Sequence, residues 1–346
     1  MQVKIISMAQ MLVDKPIEYA AQLGLDMSVY SDLVAKLKSI RKKITPEIYG
    51  LISRYETNPD LRQILTNAIP KGGCHRAQFV VIISGSRGLE PNFTLAAASE
   101  LFYWGDVGLD DIADENTIRQ NATSLRTSVG DSLAVYASNV LYGIALRATV
   151  DECKHDPEKL AKVMAYYAMK LHVTSRGQAI DMLMTKKDIN SVSFDDYISL
   201  IEETTGVDVA SSMGIGAVIA GLDSLTTINL YNFGFILGTL AQIRDDVLDY
   251  CDITHNGEYI IGKLPFRDIE TKKKRLPLLL TGNTELMSLP DKIYDTIEKE
   301  FITPRKTEAI KHLESADISL ESKKLLLKIL DFWSDIRLFQ KIANPI

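Results

Sequence analysis

The 346-residue chain holds only three cysteines, Cys74, Cys153 and Cys251, far apart and odd in number. That excludes a disulfide framework and fits reduced thiols, as in a cytoplasmic protein. Basic charge is also short. Lys and Arg number 39 against 45 Asp and Glu, a net charge of -6. Nucleic acid is held by a basic surface, so no such partner is expected. No run is long and uncharged enough for a transmembrane segment. The N-terminal "MQVKIISMAQMLVDKP" is mildly apolar but breaks at Asp14 and Lys15 without a small-residue cleavage site, so it does not read as a signal peptide. No linker rich in Pro, Gly or Ser, no repeat and no low-complexity segment divides the chain, which reads as a single domain over 1–346. The five histidines lack metal-ligand spacing and are expected to be structural or on the surface. Ser128, Ser132 and Ser138 lack a nucleophile-elbow context, and no Gly-rich phosphate loop follows a strand.

What is present is a full core and helical periodicity. Hydrophobic residues make up 46% of the chain and charged residues 24%, enough to bury a core. "PEKLAKVMAYYAMKLHVTSRGQAIDMLM" predicts one long helix, with Pro157 at a first-turn position that needs no N–H. Residues 226–250 are apolar almost all round until the last turns, which predicts a buried central helix. Ser193 with Asp196 three residues on reads as a capping box. "QFVVIISG" is the best strand candidate, yet it too fits a helix better. The fold class is therefore all-α. A polar stretch over 251–275 interrupts the pattern and ends in Lys272, Lys273, Lys274 and Arg275.

Two stretches carry chemistry. "DDIAD" covers Asp110, Asp111 and Asp114, and "DDVLD" covers Asp245, Asp246 and Asp249. Each closes an apolar helix. Chance gives roughly 0.1 Asp-Asp-x-x-Asp match in a chain of this length, so a pair is informative. Positions i and i+4 share a helix face, which pairs Asp110 with Asp114 and Asp245 with Asp249. Carboxylates crowded this way repel unless a cation sits among them, and hard oxygen donors suit Mg²⁺ completed by phosphate oxygens. "DDYIS" at Asp195 has the doublet without the third Asp and reads as an ordinary helix start.

From about Lys71 to Pro277 the chain resembles the trans-isoprenyl diphosphate synthases. The resemblance rests on "DDIADENTIRQ", "RGQAID", "GTLAQIRDDVLD" and "IGKLPFRDIETKKKRLP". It implies a class I isoprenoid synthase bundle with a central active-site cavity, a homodimer, an allylic prenyl diphosphate substrate and three Mg²⁺ ions. Asp110 and Asp114 would ligate metal on one side, with Asp111 supporting. Asp245 would ligate it on the other, with Asp246 and Asp249 near. Arg119, Lys263, Lys273 and Gln242 would contact the diphosphate.

The departures from the family pattern lie mostly where it holds isopentenyl diphosphate. Its Gly-Lys-Arg-x-Arg segment here reads "GGCHR", so Gly73 and Cys74 replace cations and only Arg76 remains, with Lys71 two residues upstream. Tyr103 replaces a histidine, Gln120 an arginine and Ala241 a phenylalanine. On the allylic side a Lys-Thr pair reads Thr204-Thr205. Three lost cations could cost a factor of ~10³ in acceptor affinity. The leading expectation is thus an enzyme that ionises an allylic diphosphate without isopentenyl diphosphate, as a terpene synthase or a prenyltransferase to another acceptor. The alternatives are a conventional chain-elongating synthase and a non-catalytic partner subunit. Gly105, five residues before the first motif, is expected to leave room for a long chain. Asp106 is expected to be a surface residue or a polar group facing a non-standard substrate.

Overall fold

The computed structural model describes residues 30–69, 73–119, 122–250, 254–255, 258–259, 266–283, 285 and 288–337. The N-terminal stretch, Lys71, Gln120, Cys251 and Lys263 lie outside these. The described chain is helical: α1 (Ser31–Tyr55), α2 (Pro59–Ala68), α3 (His75–Ser84) and α4 (Phe93–Ala113) come first. A two-stranded hairpin, β1 (Ile118–Arg119) and β2 (Ala122–Thr123), follows the first aspartate motif. Then come α5 (Leu125–Val129), α6 (Asp131–Cys153), α7 (Pro157–Met184) and α8 (Phe194–Ile201). A π-helical turn, Glu202–Gly206, leads into α9 (Val207–Ile219), and α10 (Ser224–Leu248) carries the second motif. A second hairpin, β3 (Thr254–His255) with β4 (Glu258–Tyr259), follows it. The chain closes with α11 (Arg267–Glu270), α12 (Leu276–Thr281), α13 (Asp291–Ile297), α14 (Thr303–Ser315) and α15 (Leu320–Ser334).

Local sequence explains where the long helices start. Asp156 caps α7 by accepting from the Lys159 N–H, with Pro157 as its first residue. Ser193 and Asp196 form the expected capping box of α8. Asp223 caps α10 by accepting from Thr226. "QFVVIIS" is buried throughout and lies in α3, so its β-branched run is a core helix.

Packing then sets the site. Helices α4 and α10 are buried nearly all round and form the centre of the bundle. Helix α6 packs on α4, α9 packs on α10, and α3 lies between α4 and α9. Gly238 lets α10 touch the π-helical turn, since a Cβ there would lie 2.5 Å from the Thr205 carbonyl oxygen. Among the described residues α6 alone has the length and composition to cross a membrane, and half of its apolar stretch is buried inside the protein.

Candidate active site

A cavity of about 680 Å³ opens between α4, α7 and α10. That is the size of a small-molecule site. Asp110 and Asp114 line it from the end of α4, and Asp245 and Asp246 line it from the end of α10. Two motifs more than a hundred residues apart thus meet across one space. Arg119, Gln242 and Lys273 line the same space.

Several of these carboxylates are held by named side chains. Arg119, on β1, donates from Nε to Asp111 Oδ1 and from one terminal nitrogen to Asp110 Oδ2, both at 2.8 Å. Gln178 donates to Asp110 Oδ1 at 3.0 Å. Lys273 donates to Asp114 Oδ2 at 2.6 Å. Across the cavity, Gln242 donates to Asp246 Oδ1 at 2.8 Å and accepts from the Thr205 hydroxyl of the π-helical turn at 2.8 Å. Tyr197 donates to Asp246 Oδ2 at 2.7 Å. Behind them, Arg275 grips Asp181 through two parallel bonds of 2.9 and 2.7 Å.

The two motifs differ in their third and second residues. Asp114 ends α4 and faces the cavity with Asp110. Asp249 ends α10 but is fully buried, where its carboxylate accepts from the Asp268 N–H at 3.0 Å. Asp249 stays in helical register, its N–H donating to the Asp245 carbonyl at 3.1 Å, but its carboxylate is buried and does not line the cavity as Asp245 does. Asp111 is likewise buried, between Arg119 and the Asn116 amide. So Asp111 and Asp249 stand behind the wall that Asp110, Asp114, Asp245 and Asp246 form.

Burial sets the protonation of these groups. It pushes Asp246 up to about 7, with Arg275 opposing and Asp268 adding. Asp114 is also raised, first by burial and then by Asp110, against the pull of Lys273. Asp181 is buried too, yet Arg275 and Lys273 outweigh that and hold it below the usual carboxylate range.

The donor set fits Mg²⁺. It is all carboxylate oxygen, with no sulfur or imidazole among the motif residues. No three ligating side chains converge on one point among the described residues. An ion here would therefore take further ligands from water and phosphate oxygens.

The opposite wall holds the residues that departed from the family pattern. Arg76 lies over the Tyr103 ring at 3.9 Å and donates from Nε to Asp208 Oδ2 at 2.6 Å. His75 lines the cavity rather than the surface, edge-on to Trp333. Burial and the neighbouring Arg76 push His75 down to about 4, so it is neutral at pH 7. A Cβ on Gly73 would lie 2.4 Å from its ring. Asp106 also faces the cavity, which excludes a surface role. Gly105 does not open a path for a long chain, because the Tyr142 ring fills its notch.

Sequence reasoning missed several residues that the fold brings here. Arg267 lines the cavity and donates to the Asp114 carbonyl at 3.4 Å. Arg275 and Asp208 were equally invisible as site residues. Asp208, a lone charge inside the apolar run "GVDVASSMGIGAVIAG", was the available signal.

Comparison with known proteins agrees with this geometry. A family profile described as "Polyprenyl synthetase" matches residues 58–313. The geranylgeranyl diphosphate synthase of Sulfolobus acidocaldarius is 26% identical over 242 residues, 65% of this chain and 71% of that protein. The geranylfarnesyl diphosphate synthase of Aeropyrum pernix is 26% identical over 267 residues, 69% of this chain and 80% of that protein. The solved geranylgeranyl pyrophosphate synthetase of Geoglobus acetivorans superposes with a TM-score of 0.73 at 23% identity, covering 88% of this chain and 99% of that one, a likeness of fold. With the profile spanning most of the chain and two aspartate motifs facing one cavity, the protein belongs to the polyprenyl synthetase family.

Proposed function

We propose that the protein is a trans-prenyl diphosphate synthase, which ionises an allylic prenyl diphosphate and passes the allylic group to isopentenyl diphosphate. The observation that carries this reading is the meeting of Asp110, Asp114 and Asp245 with Arg119 and Lys273 around one cavity. The names of the relatives, chain-elongating synthases, support it over the isopentenyl-independent reaction that the sequence put first. Asp110, Asp114 and Asp245 would hold Mg²⁺, which when bound supplies charge for the leaving diphosphate. Asp111 orients Arg119, and Asp249 fixes the turn that presents Asp268. Arg119 and Lys273 now bind carboxylates, and a diphosphate draws them onto its oxygens where charge develops. Tyr197 and Gln242 hold Asp246 in place. Leu133, Tyr136 and Val150 leave apolar surface exposed on α6, which a second copy in a homodimer would cover.

One observation favours a second reading, ionisation without isopentenyl diphosphate. The remaining acceptor-side cation, Arg76, is bound by Asp208, and the His75 ring occupies the space beside Gly73. Incubation with Mg²⁺ and geranyl diphosphate, with and without isopentenyl diphosphate, separates the two by product mass. A longer diphosphate formed only with isopentenyl diphosphate is expected. Hydrocarbon or alcohol from the allylic substrate alone transfers the assignment to the second reading. No product in either arm leaves the partner-subunit reading.

A further inference from the structure

Arg76 is the cation that the acceptor side keeps, and its charge is already matched. Its Nε donates to Asp208 Oδ2 at 2.6 Å, and a terminal nitrogen lies 2.5 Å from the same oxygen. The other Asp208 oxygen is 2.5 Å from Lys170 Nζ. Lys170 is also 3.2 Å from Oδ2 of Asp106, which lies one turn inside Asp110 on α4. Glu100, buried on α4, accepts from the Ala77 N–H at 3.0 Å and acts on Arg76. Two cations thus stand among three carboxylates at this inner end of the cavity. His75 adds no charge there, being neutral at pH 7. Arg244 lines the cavity too, but donates to the Phe332 carbonyl at 2.8 Å.

Asp208 is the one charged residue of the apolar helix α9, and it is 3% exposed. Burial raises its carboxyl, but Arg76 and Lys170 outweigh that and hold it below the usual carboxylate range, so it is ionised at pH 7. Both Asp208 and Arg76 line the cavity. A guanidinium meets a phosphate through the same fork of N–H donors that it offers a carboxylate. A diphosphate seeking Arg76 must therefore exchange one charge-assisted bond for another, and must leave Asp208 buried on Lys170 alone. The donors left over on Arg76 carry a charge that Asp208 already balances. Arg76 thus returns little net affinity to an anionic acceptor while Asp208 stays charged.

We infer that Asp208 is an internal counter-anion that competes with the acceptor diphosphate for Arg76, so that this residue of α9 restrains the binding of isopentenyl diphosphate. The inference rests on the prenyl synthase reading above for the identity of the acceptor. The allylic diphosphate, met by Arg119 and Lys273 at the other end of the cavity, lies outside this competition.

The test is calorimetric titration of isopentenyl diphosphate into the protein with Mg²⁺, its allylic site filled by the unreactive geranyl thiolodiphosphate. Asp208→Asn keeps the shape of the side chain and removes its charge. It is expected to bind isopentenyl diphosphate about tenfold more tightly than the wild type, with the affinity for the geranyl analogue unchanged. A side chain that only supported the fold would not give a gain confined to one ligand. Lys170→Met combined with Asp208→Asn removes one charge of each sign, and is expected to show the same gain should Asp208→Asn alone not fold. Equal or weaker binding of isopentenyl diphosphate by the folded variant overturns the inference, as does an equal gain for both ligands. Elongation by the wild type with an acceptor affinity indifferent to Asp208 overturns the inference and leaves the synthase reading. Tighter binding in the variant without elongation by either protein upholds the inference and removes the synthase reading.

Discussion

The two ends of the cavity are built from the same residue types and behave in opposite ways. At the mouth, Asp110 and Arg119 keep 23% and 29% of their side chains exposed. At the inner end, Lys170 and Asp208 keep 2% and 5%. The mouth pairs can trade a carboxylate for a phosphate oxygen, because water and ligand reach them. Lys170 and Asp208 are packed between α7 and α9, and Asp208 and Asp106 outweigh burial to hold Lys170 above its ordinary range. Salt bridges of similar length therefore serve two ends. Access to solvent, more than the pairing itself, separates the two ends.

The sharpest way to break this comparison is at the mouth. Asp110→Ala and Asp245→Ala are each expected to lower kcat by about 10²–10³-fold or more with the fold intact, because each removes charge facing the leaving group. Wild-type turnover in both, in a product assay with Mg²⁺, would sink the metal assignment. At the inner end the large effect is on stability. Lys170→Met leaves Asp106 and Asp208 without their shared cation and is expected to cost about 3–5 kcal/mol in denaturant unfolding. At the mouth, Lys273→Met leaves Asp181 its two Arg275 bonds and Asp114 partly open to water, so a smaller stability loss is expected, with KM for the allylic diphosphate raised about tenfold. Equal stability losses in the two would erase the distinction.

His75 gives a smaller effect through pH. Its folded pKa, near 4, lies below its ordinary value of 6.5, so the unfolded chain binds the proton first. Its contribution is present above pH 6.5 and is lost as pH falls toward 4. His75→Phe is expected to flatten the fall of the denaturation midpoint in that window. An unchanged slope would reject a neutral His75. The smallest effect belongs to a control outside the cavity. Ser193→Ala removes the α8 cap and is expected to cost about 1 kcal/mol in thermal unfolding, with turnover unchanged.

Much of the fold was legible because it depends on neighbours in the chain. Pro157 behind Asp156 and the Ser193–Asp196 box start helices through bonds spanning three residues. The apolar surround of α10 announced a central helix, although that helix ends at Leu248, with Asp249 as its cap, rather than at 250. The paired motifs pointed to one shared site, and residues of both line one cavity. The partners of those aspartates were less legible. Gln178 reaches Asp110 over 68 residues and Lys273 reaches Asp114 over 159. Spacing along the chain carries no record of such pairs.

The sequence by itself determined the helices, the family resemblance and the two carboxylate clusters, since each follows from local periodicity or from a short motif. Tertiary structure alone decided that Asp111 and Asp249 stand behind the wall and that Tyr142 fills the space left by Gly105. It also decided that Asp106, Lys170, Asp208 and Arg76 join into one network. The physical reason is burial. A charge excluded from water must find a partner wherever packing brings one, and that position is set by how four helices meet.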